Sequence, residues 1–182
     1  MLEGIQWTTV CVSLASGLAG VSGPVVLWHM QVRKERASVR ASLLAEVSAL
    51  IEMVERRHYL QNLKLMEKHL ADLSQAQLES LDEKEFSFAL PNGENYNRVY
   101  QANLSRLGAL SSGEAAQIVR FYQLADSVRA DLTKGGILAN GSTNHEDWGE
   151  TAEILGVAIG IGEVLTRPSA SAWQRLKNRR IK

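Results

Sequence analysis

The chain has 182 residues, twenty acidic and twenty basic, with a single cysteine, Cys11. This length suggests one domain, and one cysteine excludes an intramolecular disulfide and a cysteine-based zinc site. The balanced charge is unevenly distributed: residues 33–40 carry four basic and one acidic residue, residues 41–166 ten basic and eighteen acidic, and residues 167–182 six basic and none acidic. We therefore expect the basic segments and the acidic middle to seek different partners.

The N-terminal segment, residues 1–32, is predicted to be a transmembrane anchor. From residue 4 to residue 32 the sequence contains no Asp, Glu, Lys or Arg, and a spanning helix needs about 20 mostly apolar residues. Trp7 and Trp28 are 21 positions apart, which corresponds to about 31 Å along a helix. Tryptophan prefers the two interfaces of a bilayer whose apolar layer is about 30 Å thick, so this spacing favours a helix that crosses a membrane.

Two other interpretations of this segment stay open. A secretion signal normally begins with positive charge, which is missing here, although Ser13-Leu14-Ala15 resembles a cleavage site. A buried soluble helix is the second alternative, because serines and threonines dilute the apolar run. Small residues four positions apart, such as Ser13 and Gly17, would let two membrane helices approach closely, but membrane helices are also rich in such residues for other reasons.

Arg33 and Lys34 follow the apolar run immediately and determine its predicted orientation. The short N-terminal flank carries only one charged residue, Glu3. The positive-inside rule then places the N-terminus outside and the residues after 32 in the cytoplasm. We therefore expect a single-pass membrane protein, held at the two interfaces by Trp7, Trp28, Arg33 and Lys34.

Residues 33–80 are predicted to form a long amphipathic helix. No Gly or Pro interrupts residues 36–80, and apolar residues recur at helical spacing in two stripes: Leu43, Val47, Leu50 and Val54, then Leu63, Met66, Leu70 and Leu73. The two stripes do not share one heptad frame, so the join at residues 55–59 is either a stutter or a break between two helices. A coiled-coil dimer and an intramolecular bundle both remain open, and the short length of each register favours the bundle.

Residues 81–166 are predicted to form a helical-bundle domain. Its first part holds Phe86, Phe88 and Leu90, which alternate along the chain before a turn sequence. We interpret this part as a loop whose aromatic side chains dock on the bundle, with one short strand as the alternative.

A helical hairpin follows, with its turn at residues 108–112. Gly108 suits the left-handed position that ends many helices, and Ser111 with Glu114 three residues later matches a capping box for the second helix. We therefore expect two adjacent helices joined by a tight turn.

The last predicted helix of the domain ends near Thr166. Thr143 with Glu146 matches a second capping box at its start. Gly156 and Gly160 share one face of this helix, and we expect that face to let another helix pack closely.

Residues 167–182 form a basic tail whose predicted contacts to a membrane or to nucleic acid are Trp173, Arg175, Lys177, Arg179 and Arg180. A basic segment with an aromatic residue can lie on an anionic membrane surface, and it can also bind phosphates. We favour membrane contact over nucleic acid because the anchor would keep the tail near the bilayer. A frayed, solvated terminus is the interpretation that we weigh ahead of both contacts.

The sequence shows no arrangement typical of catalysis or metal binding. The four histidines are scattered, and His58 and His69 are eleven positions apart, too far along a helix to hold one metal ion. His145 is followed by two acidic residues, but acids are expected at a helix start because of the helix dipole. We therefore predict no enzymatic activity, no cofactor, no metal and no small-molecule substrate.

Polar and aromatic residues of the hairpin are predicted to form a partner surface: Tyr96, Tyr100, Asn103, Arg106, Arg120 and Tyr122. The leading hypothesis is a membrane-anchored cytoplasmic interaction or scaffold module that binds a protein partner or itself within a larger assembly. One alternative is a phage or defence-type effector that acts on membrane or nucleic acid through the basic tail. Another is a periplasmic lysis-type coiled coil, which requires the opposite topology.

One block of the chain, residues 88–132, contains the pattern Tyr-x-x-Asn…Arg-Leu-Gly…Val-x-Arg-Phe-Tyr, whose members are Tyr100, Asn103, Arg106, Leu107, Gly108, Val119, Arg120, Phe121 and Tyr122. This block, about a quarter of the chain, resembles a segment of small uncharacterised bacterial membrane-anchored proteins. The resemblance implies one N-terminal spanning helix followed by a helical hairpin, and a bacterial or prophage source. It implies no activity. With the orientation predicted above, we expect the protein in the bacterial inner membrane.

Overall fold

The computed structural model describes residues 7–90 and 96–167, with side chains from residue 24 onward. Within these ranges every regular element is a helix and no strand occurs. The all-α prediction is therefore confirmed. The α-helices, in chain order, are α1 (Trp7–Arg56), α2 (Tyr59–Ala71), α3 (Gln75–Leu78), α4 (Arg98–Asn103), α5 (Ser112–Leu132), α6 (Ile137–Asn140) and α7 (His145–Thr166). Two 3₁₀ helices complete the set, Glu83–Phe86 and Leu104–Ala109.

Helix α1 has two parts that differ in burial. It continues through Pro24 without interruption, and all residues from 24 to 38 are exposed. From Val39 onward one face is buried, with a side chain every four residues at Val39, Leu43, Val47 and Ile51. The bundle therefore packs on the C-terminal part of α1 only, and the N-terminal part projects from it.

The predicted long helix over residues 33–80 is broken at the expected join. Helix α1 ends at Arg56, and His58 adopts the left-handed conformation with φ 55° before α2 begins. The alternatives of a stutter and a break are thus resolved in favour of a break. After Ala71 the chain forms only the single turn α3, so residues 33–80 are not one helix.

Helix α7 is the central element, because α1, α2 and α5 all pack on it. Near its C-terminal end Gly162 lies against Val47 and Ile51 of α1, and near its N-terminal end Gly149 lies against Glu67 of α2. Residue numbers along α7 therefore decrease in the direction in which residue numbers increase from α1 to α2. The same holds for α5: Phe121 lies beside Gly162, while the Thr151 hydroxyl donates to Asp131 at 3.1 Å. Helix α7 thus runs antiparallel to α5, and the segment from α1 to α2 as a whole passes along α7 in the opposite direction.

Within the described chain no other helix packs closely at Gly156 and Gly160. A Cβ atom added at either position would meet no atom within 4 Å, whereas at Gly162 it would lie 2.5 Å from Ile51 Cδ1 and 3.0 Å from Phe121 Cε2. The close approach is therefore two residues farther along α7, on the face that points into the bundle.

The hairpin is present, but its turn differs from the prediction. The chain tightens into the 3₁₀ helix Leu104–Ala109, and Gly108 is not among the described residues with positive φ, so no left-handed cap forms there. Ser111 does occupy the position before α5, yet its side chain makes no capping hydrogen bond. Glu114 instead forms ion pairs with Arg36 and Arg40 on α1. Because Glu114 pairs with α1, the predicted capping box between Ser111 and Glu114 does not form.

The segment with Phe86, Phe88 and Leu90 docks on the bundle as a loop, as predicted. These three side chains pack against the buried cluster formed by α2, α5 and α7. Backbone amides also hold it, since Phe88 N donates to Leu138 O at 2.8 Å and Leu90 N donates to Leu132 O at 2.7 Å.

The second predicted capping box, Thr143 with Glu146, is wrong by one residue, because the cap of α7 is Asn144, whose side chain accepts from the Glu146 amide.

In the part of the chain that the structure describes, no helix combines the length and the apolar character needed to cross a membrane. The side chains of residues 1–23, which make up most of the predicted anchor and include that of Trp7, are outside the part that the structure describes.

Candidate functional site

A carboxylate of α1 holds the start of the hairpin. Glu46 accepts hydrogen bonds from the backbone amides of Val99 at 2.8 Å and Tyr100 at 2.9 Å. These are the second and third residues of α4, whose amides have no partner within the helix. The preceding residue, Asn97, makes no side-chain capping bond. Glu46 therefore serves as the cap of α4 although it lies 53 positions from Val99 in the sequence, and its charge suits the positive end of that helix dipole.

The same carboxylate reaches the second helix of the hairpin. Tyr122 on α5 donates its hydroxyl to Glu46 at 2.6 Å, and its ring stacks on Tyr100 with centroids 3.9 Å apart. Burial raises the pKa of the Tyr122 hydroxyl above its usual value near 10, and the hydrogen bond to Glu46 raises it further. Tyr122 is thus a neutral donor in the folded protein, and with Glu46 it joins α1, α4 and α5.

Tyr96 forms a second polar contact on α5. Its hydroxyl donates to Asp126 at 2.7 Å, and the guanidinium of Arg129 lies 5.1 Å from its ring centroid. Burial, together with the hydrogen bond to Asp126, raises the pKa of Tyr96. This contact ties the chain just before α4 to the middle of α5.

The predicted partner surface is divided by the fold. Tyr100, Asn103 and Tyr122 are buried, with exposures of 8%, 8% and 1%, because they form the contact between the hairpin and α1. Buried side chains cannot present a partner surface, so this part of the prediction is corrected to a structural role. Tyr96 is half-buried, and Arg106 and Arg120 are exposed.

The two exposed arginines, Arg106 and Arg120, differ in their surroundings. Arg106 donates to Glu35 on α1 at 3.2 Å and approaches the Asn103 amide oxygen at 3.5 Å. Arg120 lies on the outer face of α5.

The predicted contacts of the basic tail lie outside the described residues: Trp173, Arg175, Lys177, Arg179 and Arg180.

The projecting part of α1 carries a run of exposed apolar side chains. Leu27 and Trp28 expose 67% and 59% of their surface, and Val25, Val26, Met30 and Val32 are also exposed. Arg33 and Lys34 follow, both exposed. Arg36 and Arg40 come next and pair with Glu114 at the start of α5. The apolar run therefore ends in a basic collar (Arg33, Lys34, Arg36, Arg40) that is itself attached to the bundle.

A cavity of about 250 Å³ lies between α1 and α5 where both pack on α7. Its walls come mainly from buried apolar residues: Ile51, Phe121, Val128, Leu132, Leu155 and Ala158. The polar residues that line it are Arg57, Tyr59, Tyr96 and Arg129. Met53 and Arg57 are exposed and mark its opening. Sequence periodicity gave no sign of this cavity, because it depends on how far α1 and α5 diverge.

The described residues contain no group of three or more His, Cys, Asp and Glu side chains placed to hold a metal ion. His145 begins α7, and the acids that follow it occupy the first turn. Asp147 there accepts from the Ser142 hydroxyl and from the Asn144 amide at 3.2 Å, so it orders the loop before the helix.

Comparison with protein-family models, with curated proteins and with solved structures finds no match to this chain. The resemblance of residues 88–132 to membrane-anchored hairpin proteins therefore stays a prediction.

Proposed function

We propose that this protein is an interaction module tethered to a membrane by the N-terminal part of α1, with its helical bundle on the cytoplasmic side. The observation that carries the proposal is the exposed apolar run at residues 25–32, which no part of the described bundle covers. Fully burying one large apolar side chain is worth about 1.5–3 kcal/mol. Leaving six of them in water on one projecting helix is therefore costly.

A bilayer is the cover that best fits the surrounding sequence. The uncharged run extends back to residue 4, which makes it long enough for a span. Trp28 would lie at the inner interface, and the basic collar directly after it would meet anionic headgroups, each near cation contributing about 1 kcal/mol.

The interaction part of the proposal is supported by an exposed face of α7. Val157 and Val164 are 40% and 57% exposed and lie seven positions apart on one side of the helix. Gly160 between them has open space where a side chain would be. We assign this face to a second copy of the chain, because copies tethered in one membrane meet at high effective concentration.

A topology reporter fused after Lys182 tests the tether most directly. The proposal expects cytoplasmic reporter activity and a membrane fraction that resists alkaline carbonate. Leu18→Arg should release the protein, because an arginine at mid-span costs about 2.5–3.5 kcal/mol on insertion scales. Leu65→Arg is the matched control, since Leu65 is an exposed leucine of the bundle, and it should leave the protein bound.

Three outcomes would contradict the proposal. A periplasmic C-terminus would favour the lysis-type alternative. Release from the membrane on deletion of residues 167–182, with residues 1–32 intact, would favour attachment through the basic tail. Efficient crosslinking of copies that survives Val157→Glu/Val164→Glu would remove the α7 face as the contact between them.

A further inference from the structure

We propose that the cavity between α1, α5 and α7 binds a small amphiphile that has one apolar chain or ring and one negative charge. This ligand site is independent of the membrane tether and was not expected from the sequence, which predicted no small-molecule substrate.

The position of the cavity explains why it exists. Helices α1 and α5 both pack on α7. They are joined by ion pairs at the start of α5 and by the hydrogen bond from Tyr122 to Glu46, and beyond that bond the two helices leave a gap. The gap also separates the two buried clusters of the protein, because Ile51 and Phe121 belong to one, while Val128 and Leu155 belong to the other.

The size and lining of the cavity determine the apolar part of the ligand. An apolar cavity of about 150 Å³ is enough to hold benzene, and this one has about 250 Å³. It is slightly below the range of about 300–1,000 Å³ typical of pockets for drug-sized molecules. A single medium-length chain or a compact ring system therefore fits, whereas a phospholipid with two acyl chains does not.

The polar residues determine the charge of the ligand. The exposed cation at the opening of the cavity is Arg57, and no acid is among the residues that line it. Arg129 also lines the cavity, where it lies over the Tyr96 ring. Arg57 donates to the hydroxyl of Tyr59 at 3.3 Å, so this pair offers both a charge and a donor at the opening. The nearest acid on α5, Asp126, is already bonded to Tyr96. A carboxylate or similar anion is therefore the headgroup that these side chains would attract, and Arg binds such groups by paired hydrogen bonds.

Octanoate is a suitable probe, with octanol and octyltrimethylammonium as neutral and cationic probes of the same chain length. The full-length protein is titrated in the form in which it purifies, in phosphatidylcholine nanodiscs if it needs lipid, with empty nanodiscs as the blank. We expect one octanoate per chain and binding at least about tenfold weaker for the other two probes, since a hydrogen bond to a charged group typically contributes that much. With carbonyl-labelled octanoate, a separate bound carboxylate resonance should appear in the NMR spectrum.

Two variants test the two halves of the site. Arg57→Gln should weaken octanoate about tenfold and leave octanol unchanged, while Arg57→Lys should retain most of the affinity. Ala125→Phe should fill the cavity, which Ala125 lines, and remove binding of both. Arg120→Gln is the control for a lost surface charge on α5, and it should change nothing.

The proposal is overturned if octanoate does not bind, if the three probes bind equally, or if Arg57→Gln binds octanoate as the wild type does. Binding of octanoate to empty nanodiscs alone would also overturn it. If Ala125→Phe does not fold, the Arg57 pair of variants decides, because Arg57 is exposed and its replacement leaves the helices in place.

Discussion

The carboxylate of Glu46 and the hydroxyl of Tyr122 meet at 2.6 Å and join two helices, α1 and α5. The other bonds of Glu46 go to the first turn of α4. One acidic side chain thus holds three elements of the bundle, and its removal should cost far more than that of an ordinary surface acid.

Glu46→Ala is expected to lower the free energy of unfolding by about 3 kcal/mol, because it leaves amides and a buried hydroxyl without their charged acceptor. Tyr122→Phe should cost about 1 kcal/mol. Urea denaturation measures both, and the double variant should cost about 1 kcal/mol less than the sum. Glu52→Ala is the control: Glu52 pairs with Arg56 at an exposed site and should matter by less than about 0.5 kcal/mol. Strict additivity would show that the two side chains do not act together.

Alkaline pH should unfold the protein through its buried tyrosines. The pKa values of Tyr96 and Tyr122 are raised in the fold, whereas in the unfolded chain tyrosine titrates near pH 10. The unfolded state therefore binds fewer protons above about pH 10, and stability falls as the pH rises beyond it. The rise in tyrosinate absorbance from these two residues should therefore coincide with the loss of the helical circular dichroism signal. Tyr122→Phe removes one of these two titrating groups. Measured against each protein's own stability at pH 7, the variant should therefore lose stability at a higher pH than the wild type does. An unchanged alkaline transition would contradict the assignment.

Gly162→Ala and Gly160→Ala should have opposite effects on stability. An added methyl group at Gly162 would collide with Ile51 and crowd Phe121, and overpacking typically costs about 1–3 kcal/mol. The same change at Gly160 meets open space, and alanine is better than glycine within a helix by about 0.5–1 kcal/mol. Thermal unfolding of the two variants gives the comparison. Equal effects would mean that α7 is rotated relative to the structure described above.

His58→Gly should stabilise the protein by up to about 1 kcal/mol. His58 has φ 55°, a conformation that costs a residue with a side chain about 1–2 kcal/mol but costs glycine nothing. His58→Val should destabilise it, since a β-branched residue tolerates this conformation worst. Arg56→Gly, two residues earlier and still within α1, is the control and should cost about 1 kcal/mol. Stabilisation by valine would show that α1 and α2 join in a different way.

Apolar periodicity was enough to predict the helical content and the break near residue 58, because both follow from spacing along the chain. It could not locate contacts between distant segments. Glu46 lies beside the apolar stripe of Leu43 and Val47, and an acid at such a position is the one signal that a buried partner exists. Its partner in α4 is not visible from local pattern.

The partner-surface prediction failed in part for a related physical reason. Tyr100 and Tyr122 have polar ends, and their position beside arginines suggested an exposed patch. In the fold their rings stack on each other and are buried. The Tyr122 hydroxyl and the Tyr100 backbone amide both donate to Glu46, so both tyrosines are core residues. The cavity, in turn, depends on the distance between α1 and α5, which no single segment encodes.

The continuity of α1 has a mechanical consequence. Only seven positions separate Val32, the last exposed apolar residue of the projecting part, from Val39, the first buried residue, and all of them are helical. A helix turns by about 100° per residue, so rotation of the projecting part is passed to the bundle without a flexible joint. One residue inserted at position 37 would turn the two parts by that angle relative to each other, whereas seven inserted residues would nearly restore their original phase.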